Sequence, residues 1–385
     1  MTVRLTKLSK ITPRLRFGIG VVVVLCSNQS EADTWQQAWS AQVSTEYDSN
    51  PAMIRASQIQ ASQIPASQVE VWRSIFEPSY TLHGTNGVNE LGAGVALQVA
   101  RSSNKVLSPN REDARGFLNW QRHSNTGEFG LSGVYDEAAT RNTAIDNTGP
   151  GFADSTRASR TLSAQLSQAL SERTNFGLDG SYEKVSYKGG AFTDYVSRSG
   201  GMKLDYAWSE YSAPFFRMAY ADYRPDYYGS SLSRLTNVVL GCNWKISDYL
   251  QWSLQGGRSK VDGAKASTQG AATIQYSGQR ARVDVNASRQ VTTSGLGGFI
   301  KVDQAKGSWS YIWSEHSKTG IDLEWQKNHY TTTITQNTTG TWLQYDTNQF
   351  WRTRMYYLHK VNRDALGKAS SNILGVAVTY TPAGF

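Results

Sequence analysis

The chain has 385 residues, 39% of them hydrophobic and 18% charged, with a formal net charge of +8 and two cysteines. Five of the basic residues precede the one long apolar run, 18–25, so the basic balance gives no argument for nucleic-acid binding. That run is also too short to cross a bilayer as a helix.

The first 32 residues have the pattern of a removable secretory signal. A basic stretch, the apolar run 18–25 and a small-x-small site ending at Ala32 follow one another. Cleavage after Ala32 removes five basic residues and one acid, which lowers the net charge from +8 to +4. It also leaves Cys242 without a partner for an intrachain disulfide. Cys26 keeps lipoprotein processing open as an alternative, although Leu25 before it is bulkier than that processing prefers.

The remaining chain predicts 18 strands and no helix longer than a turn or two. Polar and apolar residues alternate with period two over stretches of roughly ten residues, and clusters of Ser, Asn, Gly and Asp separate them. In 160–170, for example, Leu162 and Leu166 alternate with Ser163 and Gln165. The predicted strands are 37–47, 71–83, 89–101, 113–123, 127–137, 158–170, 174–187, 195–208, 212–224, 232–246, 248–260, 268–278, 281–291, 297–313, 319–331, 339–345, 349–361 and 371–382.

Short and long connections alternate along most of the predicted strands, with long ones at 48–70, 102–112, 138–157, 225–231 and 362–370. Tight periplasmic turns and longer external loops are typical of transmembrane β-barrels. We therefore predict an all-β fold, in which 33–385 forms one antiparallel up-and-down barrel of about 18 strands (16–18) in the outer membrane of a Gram-negative bacterium. A soluble propeller or solenoid is the alternative, but it accounts neither for the export signal nor for the aromatic residues on one strand face.

Two local features bear on this fold. The near-repeat "ASQIQASQIPASQV" (56–69) is interpreted as an expansion of the first long loop. The last strand contains "GVAVTY", and the chain ends in an aromatic residue, as outer-membrane barrels commonly do. Pro382 and Gly384 place that residue, Phe385, out of phase with the strand.

The alternation assigns strand residues to two faces. One face should meet lipid, and its aromatic candidates are Trp39, Trp72, Trp120, Phe216, Trp244, Trp252, Trp309, Trp313 and Tyr357. The other face should line a pore, and its charged candidates are Glu46, Asp48, Arg73, Glu77, Glu183, Lys203, Asp205, Arg217, Lys245, Arg282, Asp284, Asp322, Glu324, Arg352 and Arg354. A barrel of this size is too wide for side chains to fill, so we expect a polar, water-filled lumen.

The mixed signs of the inner charges, together with many Asn, Gln, Ser and Tyr residues, suit neutral or weakly anionic sugars better than a strongly ion-selective filter. Interstrand ion pairing in a filled barrel is the alternative role for each single charge. The chain has five histidines, none in a paired metal-ligand spacing, and no haem, phosphate-loop or dinucleotide motif. We expect no cofactor, no metal and no catalytic residues. A hydrolase site assembled from Ser, His and Asp across strands remains open without positive support.

The stretch "VSTEYDSNPAM" (43–53) places Glu46 and Asp48 beside Asn50, like the start of a calcium loop. The pattern then fails, because its sixth position is Met53 rather than Gly and its twelfth is Ile59 rather than Glu. Proline cannot donate to a strand ladder, so Asn50-Pro51 is predicted to end the first strand. The two acids are therefore interpreted as part of the pore wall.

Several stretches together resemble one family. They are "EYDSNP" (46–51), "VWRSIFEPSYTL" (71–82), the turn "LSERT" (170–174) and a tyrosine-rich end of the chain. In these the chain resembles the outer-membrane β-barrel proteins encoded with bacterial exopolysaccharide and exosortase (PEP-CTERM) systems. The resemblance implies an 18-strand barrel that is the exit for a secreted polysaccharide, with periplasmic polysaccharide-export proteins and membrane lipid as partners. It transfers no catalytic residues. The alternative to a pore is a structural role, in which the barrel sheaths an electron-transfer cytochrome or anchors another partner.

Overall fold

The computed structural model describes residues 34–55, 69–140, 155–189, 192–226, 232–329 and 333–382. In this part of the chain, no helix is long and apolar enough to cross a membrane. The strands are β1 Thr34–Asp48, β2 Val71–Thr85, β3 Asn89–Ser102, β4 Arg111–His123, β5 Gly127–Ala139, β6 Thr156–Ala169, β7 Thr174–Lys188, β8 Tyr195–Tyr206, β9 Ser212–Pro225, β10 Ser233–Lys245, β11 Leu250–Val261, β12 Ser267–Ser277, β13 Ala281–Ser294, β14 Gly298–Ile312, β15 Ser317–His329, β16 Thr333–Asp346, β17 Trp351–Asp364 and β18 Gly367–Tyr380. Each predicted strand corresponds to one of these, with the largest shift, six residues, at the start of β16.

The sheet closes on itself. Each strand is antiparallel to the next, and β1 pairs with both β2 and β18. At the junction of β1 and β18, which we call the seam, 41–48 pairs with 373–380, whereas all of β1 pairs with β2. Closure removes the long unpaired edges of an open sheet, which hydrocarbon does not tolerate. The predicted fold, a closed antiparallel barrel of 18 strands, is confirmed.

The two ends of the barrel differ in their connections. The turn end carries both terminal strand ends and the connections 86–88, 124–126, 170–173, 207–211, 246–249, 278–280, 313–316 and 347–350. The loop end carries the longer connections 49–70, 103–110 and 140–155, together with several short ones. In outer-membrane barrels, short turns lie in the periplasm and longer loops lie outside. The turn end is therefore assigned to the periplasm.

One predicted loop is wrong. The stretch 362–370 is not a long connection, because β17 continues to Asp364 and β18 begins at Gly367, which leaves only Ala365 and Leu366 between them. Its polar residues lie on strands at the loop end, beyond the apolar band. There neither face of the sheet has to meet lipid, so no apolar alternation marks the strand.

The outer face carries a continuous apolar band. Val43, Leu162, Leu240, Leu254 and Leu374 are 55%, 60%, 65%, 56% and 58% exposed. Large aliphatic side chains that stay exposed in a closed barrel belong on the lipid face. Aromatic side chains of this face flank the band toward the turn end at Trp39, Trp120, Trp244, Trp252, Trp309, Trp351 and Tyr380, and toward the loop end at Tyr47, Trp72, Tyr135, Tyr182, Tyr220, Trp325 and Tyr357. These are the two interfacial girdles of a membrane-spanning barrel.

Several predictions fall outside the described residues. They are the secretory signal 1–32 with its alternative at Cys26, almost all of the near-repeat 56–69, and the terminal Phe385. They stay predictions.

Two adjacent glycines of β11 give a matched test of strand packing. A Cβ at Gly257 would lie 2.0 Å from the carbonyl oxygen of Val238 and 2.8 Å from the Cα of Val239, whereas a Cβ at Gly256 would meet nothing within 4 Å. We expect Gly257→Ala to lower the free energy of unfolding by about 1–3 kcal/mol, because backbone atoms of β10 must move. Gly256→Ala should be close to neutral. Urea unfolding of the lipid-reconstituted barrel measures both, and equal stability of the two variants would contradict the close approach of β10 and β11.

Candidate pore

The strand registers place every predicted pore-lining residue on the face opposite the apolar band. These residues are Glu46 and Asp48 on β1, Arg73 and Glu77 on β2, Glu183 on β7, Lys203 and Asp205 on β8, Arg217 on β9, Lys245 on β10, Arg282 and Asp284 on β13, Asp322 and Glu324 on β15, and Arg352 and Arg354 on β17. In a closed barrel this face points to the interior. That these side chains meet a passing solute stays a prediction.

Most of the inner charges have an opposite charge beside them. Lys203 Nζ lies 2.7 Å from Asp205 Oδ1, and Arg217 Nη2 lies 3.1 Å from Asp179 Oδ1. Further pairs are Lys306–Glu324 (2.9 Å), Arg282–Asp284 (2.8 Å), Arg352–Asp346 (2.8 Å), Arg157–Glu183 (2.9 Å) and Arg115–Asp136 (3.1 Å), and Arg115 also lies 4.0 Å from Glu77. Because the two signs balance locally, the described strands carry no ring of one sign such as a charge-selective filter uses.

Two inner cations have different partners. Lys245 Nζ lies 2.8 Å from Asp248 Oδ1 in the turn 246–249, and this hydrogen bond lowers the pKa of Asp248. The guanidinium carbon of Arg354 lies 4.5 Å from the ring centroid of Trp342, and Trp342 Nε1 donates to Asp322 Oδ2 at 3.1 Å. Trp342 thus joins Arg354 to Asp322 on the inner wall.

The acids of "EYDSNP" belong to a buried group across the seam, the seam cluster of Glu46, Asp48, Arg73, Tyr356 and Ser371. Arg73 Nη2 lies 2.9 Å from Glu46 Oε2 and 3.4 Å from Asp48 Oδ2, and the three side chains are only 5–16% exposed. Tyr356 donates a hydrogen bond to Glu46, and Ser371 Oγ donates to Asp48 Oδ1 at 2.5 Å. The cluster therefore joins β17 and β18 to β1 and β2.

The segment after β1 continues this connection. The backbone N–H of Asn50 donates to Asp48 Oδ1 at 3.0 Å, and its side chain donates to the carbonyl of Ser370 at 3.0 Å. Arg55 forms an ion pair with Asp364 at the end of β17. Asn50-Pro51 ends β1, as predicted, and the chain then crosses the loop end of the seam.

A neutral recess lies on the inner wall along β2 to β9. It has a volume of about 660 Å³. Most of its polar side chains are amides and hydroxyls around one aromatic ring, that of Phe117, and they include Thr81, Asn119, Gln121, Ser132, Ser163, Gln165 and Ser181. Its charged side chains are Glu90 and the ion pair of Asp179 and Arg217. Phe117 is 40% exposed although the register of β4 turns it away from the lipid face. An exposed ring among neutral hydrogen-bonding groups can bind a solute with both apolar and polar surface.

The loop end of the interior is narrowed by an apolar cluster, the constriction, made of Val185, Tyr187, Tyr195, Tyr223 and Phe299. Val185, Tyr195 and Tyr223 are at most 1% exposed. The ring centroids are 4.9 Å apart for Tyr195 and Tyr223 and 5.8 Å apart for Tyr223 and Phe299. At this cluster, the inner side chains of β7, β8 and β9 are apolar or aromatic rather than polar as expected.

The constriction forms because the β13–β14 hairpin leans across the lumen. Strand β14 contacts β9 and β10, although other strands lie between them in the sheet. Tyr223 Oη donates to the carbonyl of Ser294 at 2.9 Å, and the backbone N–H of Thr193 donates to the carbonyl of Gly295 at 2.8 Å. The tight turn requires Gly297, whose φ of +99° favours glycine. The lumen is thus narrowed at the end of the barrel that is assigned to the outside.

Several inner residues were not among those predicted from the sequence. Asp179, Asp346 and Arg115 share the period-two pattern of the predicted charges and were within its reach. Phe117, Trp342 and Tyr223 were not predicted to lie inside the barrel, because aromatic residues were assigned to the lipid-facing side. For Phe117 the alternation of β4 was sufficient, because the assignment of Trp120 to lipid places Phe117 on the opposite face.

The predicted lipid-facing aromatics lie on the apolar outer face. Registers place Trp39, Trp72, Trp120, Phe216, Trp244, Trp252, Trp309 and Tyr357 there. Trp313 lies in the turn 313–316, 63% exposed, with its ring centroid 5.1 Å from that of Tyr311. Contact of these rings with lipid stays a prediction.

In the described ranges, no group of three or more His, Cys, Asp or Glu side chains could hold a metal ion. His123 lies between Glu90 (3.6 Å) and Glu128 (3.7 Å) near the turn end.

A closed sheet of 18 antiparallel strands, an apolar outer band between two aromatic girdles and a charged inner wall define the class: this is a multi-pass outer-membrane β-barrel protein. Solved structures share the architecture. OccK9 (OpdG) of Pseudomonas aeruginosa is 10% identical with a TM-score of 0.51, over 91% of this chain and 98% of that one. OccK7 (OpdD) of the same organism is 9% identical with a TM-score of 0.48, over 92% and 99% of the two chains.

The outer membrane channel DcaP of Acinetobacter baumannii is 11% identical with a TM-score of 0.46, over 92% of this chain and 99% of that one. At such identities the likeness shows the fold alone. No protein-family model and no curated protein sequence matches the chain.

Proposed function

We propose that the barrel is a passive, non-enzymatic pore of the outer membrane whose solutes are carbohydrates. The neutral recess supports this proposal most directly. Its Asn, Gln and Ser side chains can exchange hydrogen bonds with sugar hydroxyls, and the exposed ring of Phe117 can stack on the apolar face of a sugar ring. The paired inner charges fit the same solute, because they leave little net field to select ions.

The finer proposal is that the cargo is a secreted polysaccharide that leaves the cell through this pore. The family resemblance of "EYDSNP" and "VWRSIFEPSYTL" supports it. So does the place of the recess, which reaches toward the turn end through His83, Glu90 and Gln121. A polymer entering from the periplasm meets this recess first and the constriction last. Periplasmic polysaccharide-export proteins would deliver it.

Planar-bilayer recording with neutral oligosaccharides as blockers tests the pore. Phe117→Ala should weaken the block about threefold to tenfold, the range expected for the loss of one stacked ring. Leu118→Ala is the matched control, because Leu118 is the next residue of the same strand, 42% exposed, and points to lipid. Block that is equally weak in both variants would contradict sugar binding in the recess.

A deletion strain tests the polysaccharide. We expect surface polymer to fall and to accumulate in the periplasm. Normal secretion, with sugar block of the purified pore intact, would reject the export role and leave the carbohydrate pore standing.

The constriction favours a second candidate, a closed barrel that sheaths or anchors a partner protein. Such a barrel would carry no current in the wild type or after the constriction is removed. An open pore would respond to that change, so the same recordings separate the two functions.

A further inference from the structure

The outer face carries a group of cations beside the loop-end tyrosines Tyr135 and Tyr182, the basic patch of Arg160, Lys184, Arg198, Arg224 and Arg234. All five are exposed. Arg160 lies directly opposite Lys184 across β6 and β7, and Val196 separates Lys184 from Arg224 in the same row. In the next row Asp222 lies between Arg198 and Arg234. Five cations and one acid therefore share this part of the rim.

The protein neutralises only a small part of the patch, through Asp222. Within the described chain, Arg160, Lys184 and Arg198 form no ion pair; Arg160 and Arg198 only lie over rings, 5.9 Å from the centroid of Tyr135 and 6.0 Å from that of Tyr182. The nearby Lys188 has its own acid, since its Nζ lies 2.7 Å from Glu137 Oε1. Like charges directly opposite each other across two strands destabilise the pairing. An anion from outside the protein would remove this repulsion.

The height of the patch identifies the anion. Tyr135 and Tyr182 belong to the loop-end girdle, which marks the boundary between hydrocarbon and headgroups. Leu162, on the same face two residues from Arg160 toward the turn end, is 60% exposed in the apolar band. A molecule that covers both the apolar band at Leu162 and the cations of the patch must have acyl chains on the hydrocarbon side and negative groups directly next to them on the outer side.

We propose that the basic patch binds the phosphate groups of the phosphorylated glycolipid of the outer leaflet, the lipid A part of lipopolysaccharide. The planar guanidinium groups of Arg160 and Arg198 can each bind a phosphate through two hydrogen bonds, with Lys184 between them as a point charge. The acyl chains then lie on Leu162 and its neighbours. This site is independent of what passes through the lumen.

Native mass spectrometry of the full barrel in detergent, titrated with purified lipid A, tests the proposal. The combined variant Arg160→Gln, Lys184→Gln and Arg198→Gln should bind lipid A about 100-fold more weakly, since each cation near a membrane surface contributes roughly a factor of five. The control variant Arg122→Gln, Arg173→Gln and Arg280→Gln removes three exposed cations at the turn end and should bind as the wild type does.

Dephosphorylated lipid A gives a readout that needs no variant. The wild type should retain it far more weakly than the phosphorylated form, and added salt should reduce the difference. Equal retention of the two lipids, or equal loss in both combined variants, would overturn the proposal. So would retention of a DNA oligonucleotide as tight as that of lipid A, because the acyl chains would then be irrelevant and the partner would be a soluble polyanion.

Discussion

Tyr223→Ala is expected to raise the single-channel conductance several-fold. Tyr223 is fully buried, packs against Tyr195 and Phe299, and donates the hydrogen bond that holds Ser294 across the lumen. Truncation removes the ring and the hydroxyl together, so the β13–β14 hairpin loses a packing partner and one of the two hydrogen bonds that hold it across the lumen. A truncated buried aromatic costs about 3–5 kcal/mol of local packing. The strand ladders of β9, β13 and β14 remain and should keep the barrel closed.

Tyr223→Phe is the matched control, because it keeps the ring and removes only the hydroxyl. It should increase conductance much less than Tyr223→Ala does. Heat-modifiable migration on gels verifies that each variant forms the barrel. If both variants form it and conduct like the wild type, the constriction does not limit the current.

Arg73→Met is expected to lower the free energy of unfolding by about 3–5 kcal/mol, the usual effect of removing one partner from a buried ion pair. The change leaves Glu46 and Asp48 in a nearly buried site without their cation, where their side chains are 16% and 5% exposed. Urea unfolding of the reconstituted barrel measures the loss.

Arg282→Met is the comparison, since its pair with Asp284 is exposed (64% and 31%) and should contribute only about 0–1 kcal/mol. Adding Glu46→Gln and Asp48→Asn to Arg73→Met should restore much of the stability, because neutral groups tolerate burial better than unpaired charges. Each of these two acid changes alone should leave membrane insertion intact. If the triple variant were no more stable than Arg73→Met, charge burial would not be the cause.

The strands could be predicted from the sequence because their signal is local. Alternation within one strand and turn residues at its ends decide its position, as in 160–170 followed by "LSERT". Closure of the barrel needs no further sequence signal, because a sheet of such hairpins cannot leave its edge strands unpaired in lipid. The prediction of a long loop at 362–370 was wrong because strands that extend past the membrane lose their apolar face.

The contacts across the lumen could not be predicted. The hydrogen bond between Tyr223 and Ser294 joins residues 71 positions apart, and the short connection 295–297 resembles any other tight turn. One weak indication of these contacts was present in β14. Its inner residues Ile300 and Val302 are apolar, whereas the inner face is polar in most strands. Likewise, the partners of Glu46 and Asp48 could not be predicted, because they are distant in the sequence. Arg73 follows a long loop, and Ser371 lies 323 positions from Asp48.

The seam also fixes the order in which the barrel can assemble. Every other strand pair joins neighbours in the chain, whereas β1 must find β18 at the far end of the sequence. Contacts of such long sequence separation form slowly, because the entropy of the whole intervening chain opposes them. Assembly therefore ends with the pairing of β1 and β18. The hydrogen bonds from Tyr356 to Glu46 and from Ser371 to Asp48, which join β17 and β18 to β1, then act on the rate of reopening and give the inserted barrel its lifetime.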